Sequence, residues 1–282
     1  MLKSIYVVAY LTIATIVTIG AISSLINGRL ILANIGLLLT SGPIVVMIGR
    51  IMLLEDRART GDRLWAVLVL ALAGAALVFN QFLVNEASLK QFGTAGAMII
   101  LYFLYDYWYS RLDRSASQVR VGKPLPDFTL YDTDGAEVPS TSLVGQPAIL
   151  MFYRGNWCPL CMAQIKEVAA RYNELKAKGV QVAMVSPQPE RHTKKLARKF
   201  DAAMEFLRDE GGAAVKALGI ENSHGTPFGM QVLGYENDTV LPTVIITDKD
   251  GVVQWVHETD NYRVRPEPDT FFEVLSDKGL VA

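Results

Sequence analysis

Cysteine and histidine are scarce in this chain of 282 residues, which contains only two cysteines and three histidines. Two cysteines cannot form the network of disulfides that holds small secreted domains together. A zinc site needs about four ligands, and none of the histidines stands at a paired ligand spacing. The pair Cys158 and Cys161 is therefore expected to be redox-active, with metal binding and inert burial as the open alternatives.

Residues 1–115 contain neither cysteine nor histidine. This composition excludes a thiol relay and a histidine-ligated haem from the N-terminal part of the chain. The formal net charge is −1 and no block of like charge stands out, so nucleic acid is not expected as a partner. No cofactor is expected either.

Long apolar runs occupy the N-terminal part of the chain, and hydrophobic residues make up 51% of the whole. Three runs contain no charged side chain: Ser4 to Gly28, Leu30 to Gly49 and Leu64 to Asn85. Each exceeds the roughly 18 residues that a helix needs to cross a bilayer. A fourth run, Gln91 to Ser110, holds one acid, Asp106, and ends in aromatic residues typical of the headgroup region. The sequence predicts a membrane domain of about four transmembrane helices in residues 1–114.

Basic residues in the connecting loops predict how these helices are oriented, because lysine and arginine are retained on the cytoplasmic side. With four crossings, nine basic residues fall on one side and two on the other. The nine are Lys3, Arg50, Arg57, Arg59, Arg63, Arg111, Arg114, Arg120 and Lys123, and the two are Arg29 and Lys90. We expect an integral protein of the cell inner membrane, in contact with lipid, with both termini in the cytoplasm. One helix more or less would move the C-terminal domain to the other side.

Residues 115–282 show a different pattern, in which a polar, proline-containing linker precedes short apolar runs that alternate with charged helical stretches. This pattern is typical of a soluble α/β domain, starting near Val121. The predicted strands are Asp127 to Leu130, Ala148 to Tyr153, Val180 to Val185, Met204 to Leu207, Thr243 to Thr247 and Val252 to His257. The predicted helices are Pro159 to Lys178, Glu190 to Phe200, Gly212 to Leu218 and Asp269 to Lys278. Asp-Gly turns in "YDTDGAEV" and "ITDKDGVVQWV" predict two hairpins.

The two cysteines lie where a strand is predicted to turn into a helix. The run from Ala148 to Tyr153 is fully apolar, as in a strand buried on both faces, and the helix is expected to begin at Pro159. Cys158 then stands at the N-cap, where free backbone N–H groups and the helix dipole lower the pKa of a thiol towards neutrality. Cys161 follows on the same face, within disulfide reach, and can resolve a mixed disulfide formed at Cys158.

Three stretches carry a resemblance to a known family: "VGKPLPDFTLYDTDGAEV", "FYRGNWCPLC" and "VLPTVIITDKDGVVQW". From Val121 to the C-terminus the chain resembles the thioredoxin-fold superfamily, and within it peroxiredoxin-like proteins of the alkyl hydroperoxide reductase and thiol-specific antioxidant family. The resemblance implies an α/β thioredoxin-like domain with a central mixed sheet flanked by helices. It also implies an oxidoreductase that reduces hydroperoxides or protein disulfides and is re-reduced by an external thiol donor. Pro242 takes the place of the cis-proline that faces the active-site disulfide in this fold.

The sequence departs from the family pattern at the attacking cysteine. When the peroxiredoxin motif is laid on "FYRGNWCPLC", Arg154 takes the proline position, Cys158 the threonine position and Cys161 the peroxidatic position. Thioredoxin logic favours Cys158 as the attacking sulfur and peroxidase logic favours Cys161, so both assignments stay open. The arginine that the family usually has at the start of the strand written "LPTVIITD" is absent. Arg154 could supply positive charge near the thiolate or be a solvated loop residue, and Trp157 is expected to shield the site.

An insert near the cysteines and the role of the membrane domain leave alternatives open. The insert of residues 223–235, with His224, could border the active site and offer a proton donor, although a plain surface loop fits it better. The membrane domain is expected to act as an anchor, with a docking surface for a partner, or a binder of lipid or quinone, as the open alternatives. The alternative to an enzyme is a non-enzymatic membrane assembly factor or scaffold that binds a client or a metal through the cysteine pair.

Overall fold

A computed structural model of the protein describes residues 1–200 and 204–281. The chain divides into two compact units, one formed by Leu2–Leu54 with Thr60–Arg111 and the other formed chiefly by the residues from Leu112 onward. We call the first the helical unit and the second the C-terminal domain. Leu112 lies close to residue 115, where the sequence pattern changes.

Four α-helices build the described helical unit: α1 (Leu2–Ile26), α2 (Ile31–Leu54), α3 (Trp65–Leu83) and α4 (Leu89–Leu104). Within the described residues, α1, α2 and α3 are long and apolar enough to cross a membrane. The predicted fourth crossing is shorter, since α4 has 16 residues and then changes into a π-helical turn, Tyr105–Tyr109. Three described helices meet this criterion, so the predicted count of about four is approximate.

The π-helical turn surrounds the one acidic residue of the predicted fourth span. Asp106 is buried and lies 3.7 Å from the guanidinium of Arg63, which stacks over the Tyr107 ring at 3.9 Å. A buried carboxylate needs such a partner because desolvation of a charge is costly. The turn also stacks the rings of Tyr105 and Tyr109 at 5.5 Å. Regular α-helical winding therefore ends where these polar and aromatic contacts begin.

Small residues bring α2 and α3 into close contact. A Cβ atom added to Gly36 on α2 would lie 2.7 Å from the carbonyl oxygen of Gly74 on α3. Transmembrane helices associate through such close backbone packing and through polar contacts, because lipid removes the hydrophobic driving force between them. A polar contact of this kind joins α1 to α2, where Thr18 Oγ1 donates to Ser41 Oγ at 2.8 Å.

Nine strands and four α-helices build the described part of the C-terminal domain. The strands are β1 (Thr129–Tyr131), β2 (Glu137–Pro139), β3 (Ala148–Phe152), β4 (Gln181–Ser186), β5 (Glu205–Arg208), β6 (Glu221–Asn222), β7 (Thr239–Val240), β8 (Thr243–Thr247) and β9 (Val253–Glu258). The helices are α5 (Pro159–Ala177), α6 (Glu190–Lys199), α7 (Ala213–Ala217) and α8 (Pro268–Asp277). Seven strands form one sheet in the order β2-β1-β5-β4-β3-β8-β9, and β6 pairs with β7 separately.

The predicted mixed sheet with flanking helices is confirmed. Strand β3 is buried along its whole length, pairs in parallel with β4 and runs antiparallel to β8. The two Asp-Gly turns form the predicted hairpins, β1 with β2 and β8 with β9. Strands β6 and β7 are not predicted from the sequence, because two residues are too few to show an alternation of apolar and polar side chains.

The predicted linker is bound into the C-terminal domain instead of running free. Arg114 donates to the carbonyl oxygen of Pro242 at 2.6 Å and to that of Thr259 at 3.0 Å. The N–H group of Gly122 donates to the carbonyl oxygen of Val253 at 2.8 Å. The polar character that suggests a solvated linker is thus used for hydrogen bonds that hold the segment against the sheet.

Gly36→Ala is expected to destabilise the helical unit, because the added methyl group overlaps the carbonyl group of Gly74. Overpacking of this kind costs about 1–3 kcal/mol and offsets the roughly 1 kcal/mol that alanine contributes to a helix interior. Thermal unfolding of the full chain in detergent should give a lower Tm. Gly49→Ala is the control on the same helix, since its added Cβ meets no atom within 4 Å. Equal Tm values for both variants would contradict the close packing of α2 on α3.

Candidate active site

Strand β3 and helix α5 position the two cysteines. The chain leaves β3 at Phe152, turns through residues 153–157 and enters α5 with Cys158 at the N-cap and Pro159 at the first helical position. Proline is favoured at that position because its missing N–H would have no partner within the helix. Cys158 and Cys161 are both free thiols, and both are buried. The sequence therefore places the pair correctly at the start of a helix.

Hydrogen-bond donors surround the sulfur of Cys161. The Nη2 group of Arg265 donates to Cys161 Sγ at 3.5 Å. The backbone N–H of Arg154 and the thiol of Cys158 donate to the same sulfur. A thiolate accepts such bonds more strongly than a thiol does, because hydrogen bonds to an ionised group are the stronger ones. The geometry therefore favours the anionic form at Cys161.

The thiol pKa values of the two cysteines move in opposite directions. Burial acts to raise the pKa of Cys161, but the hydrogen bond from Cys158 and the charge of Arg265 outweigh it and lower that pKa to about 5. Burial raises the pKa of Cys158 well above its ordinary value, and donation to Cys161 raises it further. The contacts of the two sulfurs do not support the expectation that the helix N-terminus activates Cys158, because the Cys158 side chain makes no capping hydrogen bond to α5. The hydrogen bond from Cys158 to Cys161 favours a protonated Cys158.

Arg265 comes from the segment between β9 and α8, 104 residues after Cys161. Its Nη1 group donates to Gln164 Oε1 at 3.0 Å and its Nε group to the carbonyl oxygen of Tyr262 at 3.1 Å. Sequence reasoning misses this residue, because nothing in "NYRVRPEP" indicates contact with a distant cysteine. The signal that the sequence offers is indirect. The arginine that the family usually has at the start of "LPTVIITD" is absent, so another segment has to supply the cation near the thiols.

Arg154 and Trp157 lie close to the thiols, as the sequence suggests. Arg154 is buried, donates to the carbonyl oxygen of Gly225 and stacks over the Trp157 ring at 4.7 Å. Its charge acts on Cys161 in the same direction as that of Arg265. The Trp157 indole packs so tightly on Gly155 that an added Cβ would lie 2.7 Å from Nε1. Arg154 is therefore a buried neighbour of the thiolate and not a solvated loop residue.

Pro242 does not form the expected cis-proline, since no peptide bond in the described residues is cis. X-Pro bonds favour the trans form by about 0.5–1 kcal/mol unless their surroundings select cis. Here Thr243 Oγ1 donates to the carbonyl oxygen of Leu241 at 2.8 Å and holds the turn around the trans bond. Pro242 lines a small cavity together with Gln164 and Arg265. It therefore borders the groups that hold the thiolate.

The insert of residues 223–235 packs against the loop that precedes the cysteines. Tyr235 donates its phenolic hydrogen bond to Asn156 Oδ1, which fixes the end of the insert to that loop. The insert is thus more than the plain surface loop that sequence reasoning prefers. His224 is exposed, and its backbone N–H donates to Asp238 at 2.7 Å. A role for His224 as a proton donor to the thiols finds no support in these contacts.

The described residues contain no group of three or more His, Cys, Asp or Glu side chains that could hold a metal ion. A structural zinc site takes about four such ligands in tetrahedral geometry. The alternative in which the cysteine pair binds a metal therefore lacks its remaining ligands in this part of the chain.

Comparison with known proteins places similarity in the C-terminal domain. A model of the AhpC/TSA family matches residues 121–256. Peroxiredoxin Q from chloroplasts of Gentiana triflora is 28% identical over 152 residues, which cover 54% of this chain and 63% of that protein. The thiol-disulfide oxidoreductase ResA of Bacillus cereus is 24% identical over 151 residues, which cover 53% of this chain and 74% of that protein. This chain thus spans less than two thirds of the plant relative.

A solved structure shows the same fold. Reduced Prx3 from Vibrio vulnificus, in complex with H2O2, superposes with a TM-score of 0.50 at 23% identity, covering 56% of this chain and 99% of that chain. At this identity the match supports the thioredoxin-like fold and nothing further. The helical unit lies outside the residues that the family model matches.

Arg265→Met is expected to raise the pKa of Cys161, because an opposite charge this close moves the pKa of an ionisable group by about 1 to 3. Alkylation by iodoacetamide, followed at Cys161 by mass spectrometry, reports the thiolate, which is the reactive form. In the wild type the rate should fall as the pH drops through about 5, and in the variant it should fall at a higher pH. Arg171→Met is the control, because Arg171 pairs with Glu174 and Asp269 at the surface. Identical curves for wild type and Arg265→Met would contradict the assignment.

Proposed function

We propose that the protein is a membrane-anchored thiol peroxidase, on the premise that its C-terminal domain, which the AhpC/TSA family model matches, is peroxiredoxin-like. In this proposal the thiolate of Cys161 attacks a hydroperoxide and Cys158 is the resolving cysteine. An external thiol donor then reduces the pair again. The similarity to peroxiredoxin Q and ResA supports thiol-dependent oxidoreduction, and the contacts of the two sulfurs support this division of roles.

The observation that carries the proposal is the contact between Arg265 and Cys161. A guanidinium at 3.5 Å holds the sulfur as the anion that attacks an O–O bond, and donors around it can stabilise the oxygen that develops charge. The Cys161 residue is 0% exposed. A sulfur buried this deeply suits a small oxidant better than a disulfide on the surface of another folded protein.

The reaction proceeds in two oxidative steps. The Cys161 thiolate attacks the terminal hydroperoxide oxygen, the O–O bond breaks, and the alkoxide leaves as the alcohol after taking one proton from solvent. Cys161 is then a sulfenic acid. The Cys158 thiol condenses with it, so that an S–S bond forms and one water is released. Two electrons have passed from the thiols to the hydroperoxide, and two external thiols restore the pair by disulfide exchange.

The helical unit serves in this proposal as an anchor in the cell inner membrane. Three of its helices are long and apolar enough to cross. Helix α4 and the π-helical turn together give 16 plus 5 residues, which is enough for a fourth crossing of about 30 Å. With four crossings, the excess of basic residues on one side supports a cytoplasmic C-terminal domain. The anchor would keep the peroxidase close to hydroperoxides that arise in lipid.

A second candidate function is reduction of protein disulfides. The similarity to ResA supports it, and so does the position of Cys158 at the N-cap of α5, a position that favours a thiolate. The same residues would take part, but Cys158 would be the attacking sulfur. The two functions therefore differ in which cysteine reacts first.

Cys161→Ser is expected to abolish hydrogen peroxide consumption by the full chain in lipid nanodiscs with dithiothreitol as reductant. Cys158→Ser should retain the first step, because the thiolate is still held by Arg265, and should accumulate a sulfenic acid at Cys161. Labelling with dimedone and mass spectrometry identifies that site. A sulfenic acid at Cys158, or loss of the first step in Cys158→Ser alone, would contradict the proposed roles. A wild type that reduces insulin but consumes no hydroperoxide would favour disulfide reduction.

The proposed orientation predicts which positions a membrane-impermeant maleimide reaches in intact bacterial cells. In a chain with Cys158→Ser and Cys161→Ser, a single Glu86→Cys change in the α3–α4 loop should be labelled from outside. Asp134→Cys in the β1–β2 turn should be labelled only after lysis. Both side chains are exposed, so burial does not explain a difference. The reverse pattern would place the C-terminal domain outside the cytoplasm.

A further inference from the structure

The buried guanidinium of Arg265 has a set of hydrogen-bond partners that is almost entirely neutral. Among the described residues it donates to the carbonyl oxygen of Tyr262, to the side-chain oxygen of Gln164 and to the sulfur of Cys161. Only 5% of Arg265 is exposed, so water does little to compensate its charge. Of the three partners, only the sulfur can carry a negative charge.

Gln164 occupies the place where a carboxylate would ordinarily be favourable. It lies one turn after Cys161 on α5, is 1% exposed and accepts from Arg265 Nη1 at 3.0 Å. Glutamate has nearly the same shape and would add a charge-assisted bond. An amide at this position accepts the hydrogen bond without adding an anion. The neutrality of residue 164 therefore decides how the charge of Arg265 is distributed.

The other charged groups around this pair do not replace the sulfur as a counterion. Near Cys161, these groups are the Cys158 thiol and the guanidinium of Arg154, and neither of them is an anion. The Tyr153 phenol is buried close by, and its pKa is raised by burial and then by the negative charge on Cys161. These groups leave the sulfur as the anionic centre.

Two ionisable groups, His257 and Arg114, lie on the far side of Arg265. Burial, followed by the charges of Arg265 and Arg114, lowers the pKa of His257 to about 4, so its ring is neutral at pH 7. Arg114 has its own carboxylate at 3.8 Å, that of Glu258. Neither neighbour neutralises Arg265.

We propose that Gln164 is a positioning residue. It orients Arg265 through its hydrogen bond and, because it is neutral, leaves the sulfur of Cys161 as the anion that pairs with Arg265. This rests on the proposed function, in which Cys161 is the attacking thiolate. A consequence follows for the oxidised state. When Cys161 joins Cys158 in a disulfide, the sulfur loses its charge and Arg265 is left buried without an anion, which is costly. The reduced state is thereby favoured, and the disulfide is a readily reduced one.

Gln164→Glu in the full chain in nanodiscs tests the proposal, because it keeps the hydrogen bond and adds a second anion. Two quantities are measured: the midpoint of the Cys161 alkylation rate against pH, and the equilibrium of the disulfide with glutathione. The added carboxylate competes for Arg265, so the midpoint should rise by about one pH unit. Because Arg265 then keeps an anion in the disulfide state, the reduced fraction at a fixed glutathione ratio should fall, by about tenfold in the equilibrium constant.

Gln164→Met is the matched control, since it removes the hydrogen bond without adding charge. It should move the alkylation midpoint less than Gln164→Glu does, and it should not stabilise the disulfide. If the role of Gln164 were merely structural, Gln164→Met would move the alkylation midpoint more than Gln164→Glu does. That result would overturn the proposal, and so would unchanged values in Gln164→Glu. Where Gln164→Glu does not fold, the smaller Gln164→Asp is measured and the same two directions are required. Peroxide turnover of the wild type is measured alongside, so absence of that turnover refutes the proposed function without altering either test of Gln164.

Discussion

The guanidinium of Arg265 lies 3.5 Å from the sulfur of Cys161 in a part of the domain from which solvent is excluded. A buried cation without an anionic partner is unfavourable, and so is a buried thiolate without a cation. Each group therefore lowers the free-energy cost of burying the other. The segment after β9 therefore has to contact the first turn of α5 at this point, and the other residues of the site surround this contact.

The central sheet provides the rigidity that such a contact requires. Strand β3 is buried at every position and is bonded on both sides, by β4 and by β8. The cysteines follow directly from β3, and the chain that carries Arg265 follows directly from β9, the hairpin partner of β8. Only β8 lies between β3 and β9 in the sheet, and groups anchored to strands of one sheet keep a fixed separation better than groups on free loops. The fold thus brings a thiol and a cation together from distant parts of the sequence.

Local pattern predicts most of the elements that support the site. The apolar run of β3, the proline at the start of α5 and the two Asp-Gly hairpins are signals carried by adjacent residues, and each is found where it is expected. The predicted fourth membrane helix is less regular than its composition suggests, because its end, which contains Asp106, forms a π-helical turn. The expected cis bond before Pro242 fails for a similar reason, since its conformation depends on contacts of the surrounding turn.

The sequence by itself determines that the chain has an apolar helical part and an α/β part, and that its one cysteine pair begins a helix. These properties depend on side-chain periodicity and turn residues within a few positions of each other. Only the tertiary structure decides which sulfur a cation contacts. The guanidinium of Arg265 lies 104 residues away in the sequence and contacts Cys161, whereas the helix N-terminus alone favours Cys158. Electrostatic effects in a protein interior follow distance in space, and distance in space is set by the fold.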